Sequence, residues 1–157
     1  MLNFTLHSCE VHGKNEKAMQ TLKIKTHRIS TMYGSNCFFL LSKGYNAGKP
    51  LEKPCPNCFV VILDSQADKE KLFWLCYCLW KSSKYIPLLV GSAIPALHIK
   101  EVEKEIRLAA SKAVARQQEF QKLVHQLQAF HKLETHLHLQ LKLVARIKSE
   151  LAYGFLK

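Results

Sequence analysis

From Ala113 to Ala152 the chain contains neither proline nor glycine. A stretch of that length without a breaker predicts one helix, about 60 Å long at ~1.5 Å per residue. Apolar residues recur along it with a near 3.5-residue period: Phe120, then Leu123 or Val124, Leu127, Phe130, Leu137, Leu141, Val144, Ile147 and Leu151. That period is a coiled-coil seam over about four to five heptads. Glu134 interrupts it, with Leu133 beside the interruption. Such a helix projects past the small domain that precedes it, and its seam must meet another helix. With no residue to fold it back on itself, a second copy of the chain is the expected mate. The dimerisation residues are then Phe120, Val124, Leu127, Phe130, Leu137, Leu141, Val144, Ile147 and Leu151.

The remaining length suffices for one domain. The 157 residues are 48% hydrophobic and 22% charged, which excludes a globally disordered chain. The longest uninterrupted apolar run, Leu72 to Trp80, is too short to span a bilayer. The first residues lack the basic start and long apolar stretch of a secretion signal. The expectation is a soluble, cytoplasmic protein with no membrane partner.

Residues 22–63 read as strands and turns. Thr21-Leu22-Lys23-Ile24-Lys25 alternates at period two, while Asn36–Leu41 and Phe59–Leu63 are buried-strand runs. Residues 42–50 are rich in turn formers and hold Gly44 and Gly48. At Ser65 the period changes. Ser65 and Asp68 suit a helix start, and Leu72, Phe73, Cys76, Leu79 and Trp80 form a helical face that ends at Ser82-Ser83. Trp74 and Trp80 read as core residues rather than base-stacking platforms. Residues 88–97 read as an apolar loop, 100–105 as a short charged helical turn and 106–108 as an extended or hinge segment. The fold class is α+β: a small globule at 1–110, then a long coiled-coil helix at 111–157.

The formal charge is +11, with net +5 in residues 1–63, +1 in 64–110 and +5 in 111–157. Two basic ends around a neutral middle suit a polyanion, nucleic acid being the usual one. The alternative is a basic chain that is merely soluble. Six cysteines in a cytoplasmic protein are expected to be free thiols. Cys55-Pro-Asn-Cys58 has the spacing of a metal-binding turn, but a structural zinc needs four ligands. Cys76 and Cys78 lie two apart on a helix and cannot both face one ion. A redox pair belongs at a helix start, and this one precedes a strand. A cysteine-bearing turn without metal is therefore expected, and no cofactor. His125, His131, His136 and His138 on the long helix lack the i, i+4 spacing of a ligand pair. None of the nucleotide-loop, nucleophile-elbow or metalloprotease motifs is present, so no catalytic residue is assigned.

The order of elements over residues 34–151 resembles half of a type I restriction–modification specificity subunit, a target-recognition domain followed by its long helix. The Gly44…Gly48-Lys49 turn after a strand looks like the glycine turn of those domains. Phe59–Leu63 looks like the strand that follows. Lys69–Lys84 resembles the helix carrying a Phe/Tyr-Leu-x-Tyr-x-Leu pattern. Gly91-Ser-Ala-Ile-Pro95-Ala-Leu97 is the closest local likeness, and Gln117-Gln118-Glu119-Phe120 resembles the start of the spacer helix. The resemblance implies a non-catalytic DNA-specificity module that binds duplex DNA and associates with a methyltransferase subunit. Phosphate contacts would then fall to Lys23, Lys25, Arg28, Lys43, Lys49 and Lys53, and base-edge contacts to Tyr45 and Asn46. The alternative is a protein-interaction, adaptor or antagonist module of the same fold that does not read DNA.

Overall fold

The computed structural model describes residues 22–157. Thr21, the first residues tested for a secretion signal, and one of the six cysteines, Cys9, lie outside the described residues. The fold is α+β. Its elements are β1 (Lys23–Thr26), β2 (Cys37–Leu41), β3 (Pro50–Leu51), β4 (Cys58–Ile62), α1 (Gln66–Lys81), a 3-10 turn at Ile86–Leu88, α2 (Ile99–Ala115) and α3 (Gln117–Leu156). The chain divides between Arg116 and Gln117 into two units.

In the first unit the strands form one antiparallel sheet in the order β1-β4-β2-β3. Lys25 lies opposite Val60, and Phe59 opposite Leu40. β2 and β4 are apolar throughout because both their faces are covered. Alternation sends Phe38, Leu40, Phe59 and Val61 into the main core, with Cys76 and Leu79 of α1 and Val102 and Ile106 of α2. Cys37, Phe39, Cys58 and Val60 face the other way, under Tyr33, Leu51 and Cys55. β3 and β4 both pair with β2, from opposite sides. The link 52–57 therefore crosses β2, and the packing of Cys55 places that crossing on the face away from the helices.

α1 begins where the sequence indicates. The Ser65 hydroxyl accepts the Asp68 N–H at 3.1 Å and donates to the Asp68 carboxylate at 2.6 Å. It ends in a paired backbone closure: Ser83 N–H to the Trp80 carbonyl and Lys84 N–H to the Leu79 carbonyl, both 3.0 Å. That closure puts Ser83 at φ 60°, a conformation glycine normally supplies. Its buried side includes Trp74 and Leu75 as well as Cys76 and Leu79, while Leu72, Phe73 and Trp80 are half-buried.

Three expectations need correction. Residues 106–108 are not extended; they lie inside α2. Ile99, Val102, Ile106 and Ala110 recur at helical spacing, and the last three are buried. Second, the boundary at 110/111 falls within α2, and the chain divides after Arg116. Third, the long helix does not run unbroken from Ala113. The backbone leaves helical geometry at Arg116, φ −122° and ψ 45°, with no proline or glycine there. It then runs from Gln117 past Gly154 to Leu156, further than the Ala152 limit set by that glycine. The loop 88–97 is ordered by pairing of Val90 with Ala96 and of Ala96 with Lys43.

Candidate functional site

Three sets of residues compete for a functional role. The largest is the row along α3. None of its residues is buried, from Gln117 to Leu156. Phe130, Leu137, Leu141, Val144, Ile147 and Leu151 are exposed, Leu137 at 49% and Leu151 at 70%. Phe120, Val124 and Leu127 keep intermediate exposure. Because the helix is continuous, the spacing can be read strictly at alternating steps of three and four. Phe120, Leu123, Leu127, Phe130, Leu137, Leu141, Val144 and Leu151 fall in the seam. Val124 and Ile147 flank it. Two positions of the same seam are charged, Glu134 and Lys148. His131 approaches the Glu134 carboxylate at 3.6 Å, one turn earlier, and His136 bonds Gln140 at 3.2 Å. Among the described residues no group of three His, Cys, Asp or Glu could hold a metal ion.

The second set is the basic residues assigned to DNA. They fall into two groups. Ile24 packs toward the helices, so by alternation Lys23 and Lys25 stand on the opposite face of β1. Lys53 lies on the crossing link over that same face, and Arg28 follows β1 in a turn closed by Thr31 N–H to its carbonyl at 3.0 Å. Lys43, Tyr45, Asn46 and Lys49 lie on the β2–β3 turn at the far edge, about three interstrand spacings of ~4.8 Å from β1. Tyr45 is 86% exposed. Gly44 and Gly48 close this turn at φ 84° and 89°. The Gly44 N–H to the Pro95 carbonyl, 2.7 Å, ties the turn to the loop 90–97. Lys49 leans on the Trp80 ring of α1 at 5.3 Å from its centre, and Lys81 reaches the same ring at 4.8 Å. Sequence spacing gave no sign of that cluster, because residues 49 and 80 meet only through the fold.

The third set is the cysteines. The Cys58 thiol donates to the Cys55 carbonyl at 2.8 Å and receives the Cys55 N–H at 3.4 Å. Burial pushes its pKa up to about 11, which favours a neutral thiol over a metal-ready thiolate. Cys76 is buried on the helix side of the sheet, while Cys55 and Cys58 sit on the other side. The fold therefore keeps these thiols from converging on one ion. Burial raises the Cys76 pKa as well. Beside it the Tyr85 ring lies over Gly48, and among the described residues the buried Tyr85 hydroxyl meets the Cys76 thiol but no oxygen or nitrogen partner.

Residues 24–154 match the model of DUF6943, a family of unknown function. The chain belongs to that family. The matched span starts in β1 and ends within the last turn of α3, so the DUF6943 unit includes both the sheet domain and the long helix. No curated protein matches the chain. Among the described residues no helix is long and apolar enough to cross a membrane.

Proposed function

We propose that this DUF6943 chain is a non-catalytic assembly module whose α3 pairs with a helix of another chain and so presents the sheet domain in more than one copy. The observation that carries this reading is α3 itself: forty residues, none buried, with large apolar side chains at eight of the ten seam positions from Phe120 to Leu151. Isolated exposed leucines are ordinary, but an apolar row of this length marks an interaction surface. The nucleotide-loop, nucleophile-elbow and metalloprotease motifs are absent from the sequence. Sedimentation of the full chain at micromolar concentration tests the reading. The expected result is a dimer or larger assembly. Leu127→Asp with Leu141→Asp should give a monomer whose sheet domain melts as before. A wild-type monomer would end the proposal.

A second reading, duplex DNA binding, is favoured by the gathering of Lys23, Lys25 and Lys53 on one face of the sheet domain, within a chain of charge +11. It is the function that the likeness to restriction–modification specificity subunits implies, with α3 in the place of the spacer helix. Replacing those three lysines with Gln should lower the log–log salt slope of binding by about two to three, from ~0.9 per phosphate contact. If no binding to a short duplex is seen at about 50 mM salt, this second reading fails and the assembly reading is untouched.

A further inference from the structure

We infer that α3 pairs antiparallel with α3 of a second copy of this chain. This inference rests on the assembly reading and adds the identity and direction of the mate. Between Phe120 and Leu151 the positions flanking the seam carry no Lys, Arg, Asp or Glu. The pairs that normally set direction in a two-helix assembly are therefore missing. Direction falls to the two charges inside the seam, Glu134 and Lys148. In a parallel, in-register pair each would face its own copy across the interface. That gives one layer of two carboxylates and one of two ammonium groups, both partly desolvated, and like charges so placed are strongly disfavoured.

Reversing one helix removes both layers. In an antiparallel pair the two kinds of seam position face one another, so each charge lies against an apolar residue of the mate. Two registers centre the overlap near Leu141, with Leu141 opposite either Leu137 or Val144 of the second copy. In both, Glu134 and the second copy's Lys148 fall one layer apart, about 4.5–6 Å along the axis from ~1.5 Å per residue. Both side chains reach across that gap, and the two-fold symmetry makes the contact twice. The register with Leu137 opposite Leu141 also places Leu123 opposite Phe155, which is 90% exposed in the single chain. The charges that disfavour a parallel pair thus complement each other in the reversed one.

Zero-length carbodiimide coupling of the native full-length protein tests this directly. The reagent joins a carboxylate to an amine with loss of one water and leaves as its urea. Within one helix Glu134 and Lys148 are 14 residues apart, about 21 Å, so they cannot be joined in the same chain. A parallel mate holds them equally far apart. The expected product is a covalent dimer whose digest contains a Glu134–Lys148 linked peptide, absent in Glu134→Gln. Glu134→Lys alone should weaken self-association by about tenfold or more, and Glu134→Lys with Lys148→Glu should return it to within about threefold of wild type. In a parallel pair Glu134→Lys merely exchanges one like-charged layer for another and leaves affinity unchanged. A dimer that yields no such linked peptide, or is indifferent to Glu134→Lys, overturns the direction while leaving assembly standing. A monomer overturns both.

Discussion

In the sheet domain Phe38, Leu40, Val60, Val61, Val102 and Ile106 have no exposed surface; in α3 not one of forty residues is buried. The two regions draw on the same apolar residue types. They differ in where the complementary surface comes from. The sheet domain finds it within its own chain, between strands that alternate at period two and helices that repeat near 3.6. α3 repeats near 3.5, a period that suits a second helix of like pitch better than a twisted sheet. Apolar content therefore says little about self-sufficiency in this chain, whereas the period of the apolar pattern says much. The sheet domain is expected to hold its stability without regard to concentration. Any stability α3 gains from pairing depends on it.

Gly48→Ala should produce the largest contrast between the two regions. A methyl group there meets the Tyr85 ring, at a φ of 89° that side chains avoid. The expected loss is roughly 3 kcal/mol or more of sheet-domain stability. Denaturant unfolding followed by tryptophan fluorescence measures it, because Trp74 is buried in that domain. Self-association through α3 should survive. If it is lost together with the sheet domain, the two regions are not independent and the contrast fails.

Raising the pH should act next, again on the sheet domain alone. Cys58 is held at about 11 by burial, against 9.0 for a free thiol, and burial also raises the Cys37 and Cys78 thiols. Between those values the unfolded chain has released the proton and the folded chain keeps it. Stability is therefore fully present below about pH 9 and falls as pH rises toward 11, by on the order of 1–3 kcal/mol. Urea midpoints at pH 7, 9 and 10.5 would show it, and Cys58→Ala should flatten the fall. A midpoint that rises over this range would contradict the burial assigned to Cys58.

Tyr85→Phe removes a buried hydroxyl whose neighbour is the weakly hydrogen-bonding Cys76 thiol, with no oxygen or nitrogen partner among the described residues, so it should leave stability unchanged or raise it by about 1 kcal/mol. Ser83→Gly should be smaller, a gain of about 0.5–1 kcal/mol from relieving φ 60° at the end of α1. Thermal melting resolves both. A clear loss in Tyr85→Phe would mean that the hydroxyl is satisfied and that the core is less dry than its burial indicates.

Local rules made much of this fold legible. Asn36–Leu41 and Phe59–Leu63 are unbroken apolar runs because both sheet faces are covered, and Ser65 with Asp68 announces α1 through a contact three residues long. The misread elements depend on distant partners. β3 is two residues whose only strand signal is the neighbouring β2. Ile106-Arg-Leu108 looks extended in isolation, and its helical phase appears only once Ile99, Val102 and Ala110 are counted with it. The helix break at Arg116 carries no proline or glycine, so no local signal marks it. Of the candidate sites, the α3 row was readable because a helix keeps sequence spacing as spatial spacing. The basic set was readable only as composition. Its division between the sheet face away from the helices and the Trp80 cluster follows from strand order, which no spacing records.

That strand order also governs when the sheet domain can form. β1 and β2 are consecutive in the chain but do not pair; β4 lies between them and, among the described residues, is the one strand that pairs with β1. On a growing chain the β2–β3 hairpin can close soon after Leu51 is made, whereas the β1–β4 pairing must wait until Ile62 has been added. Thirty-odd intervening residues must then be looped out, an entropic cost that grows slowly with length but precedes any reward from the pairing. Among the described strands, β1 is therefore the last to join the sheet. Pulsed hydrogen exchange during refolding should show amides 23–26 protected after those of 37–41.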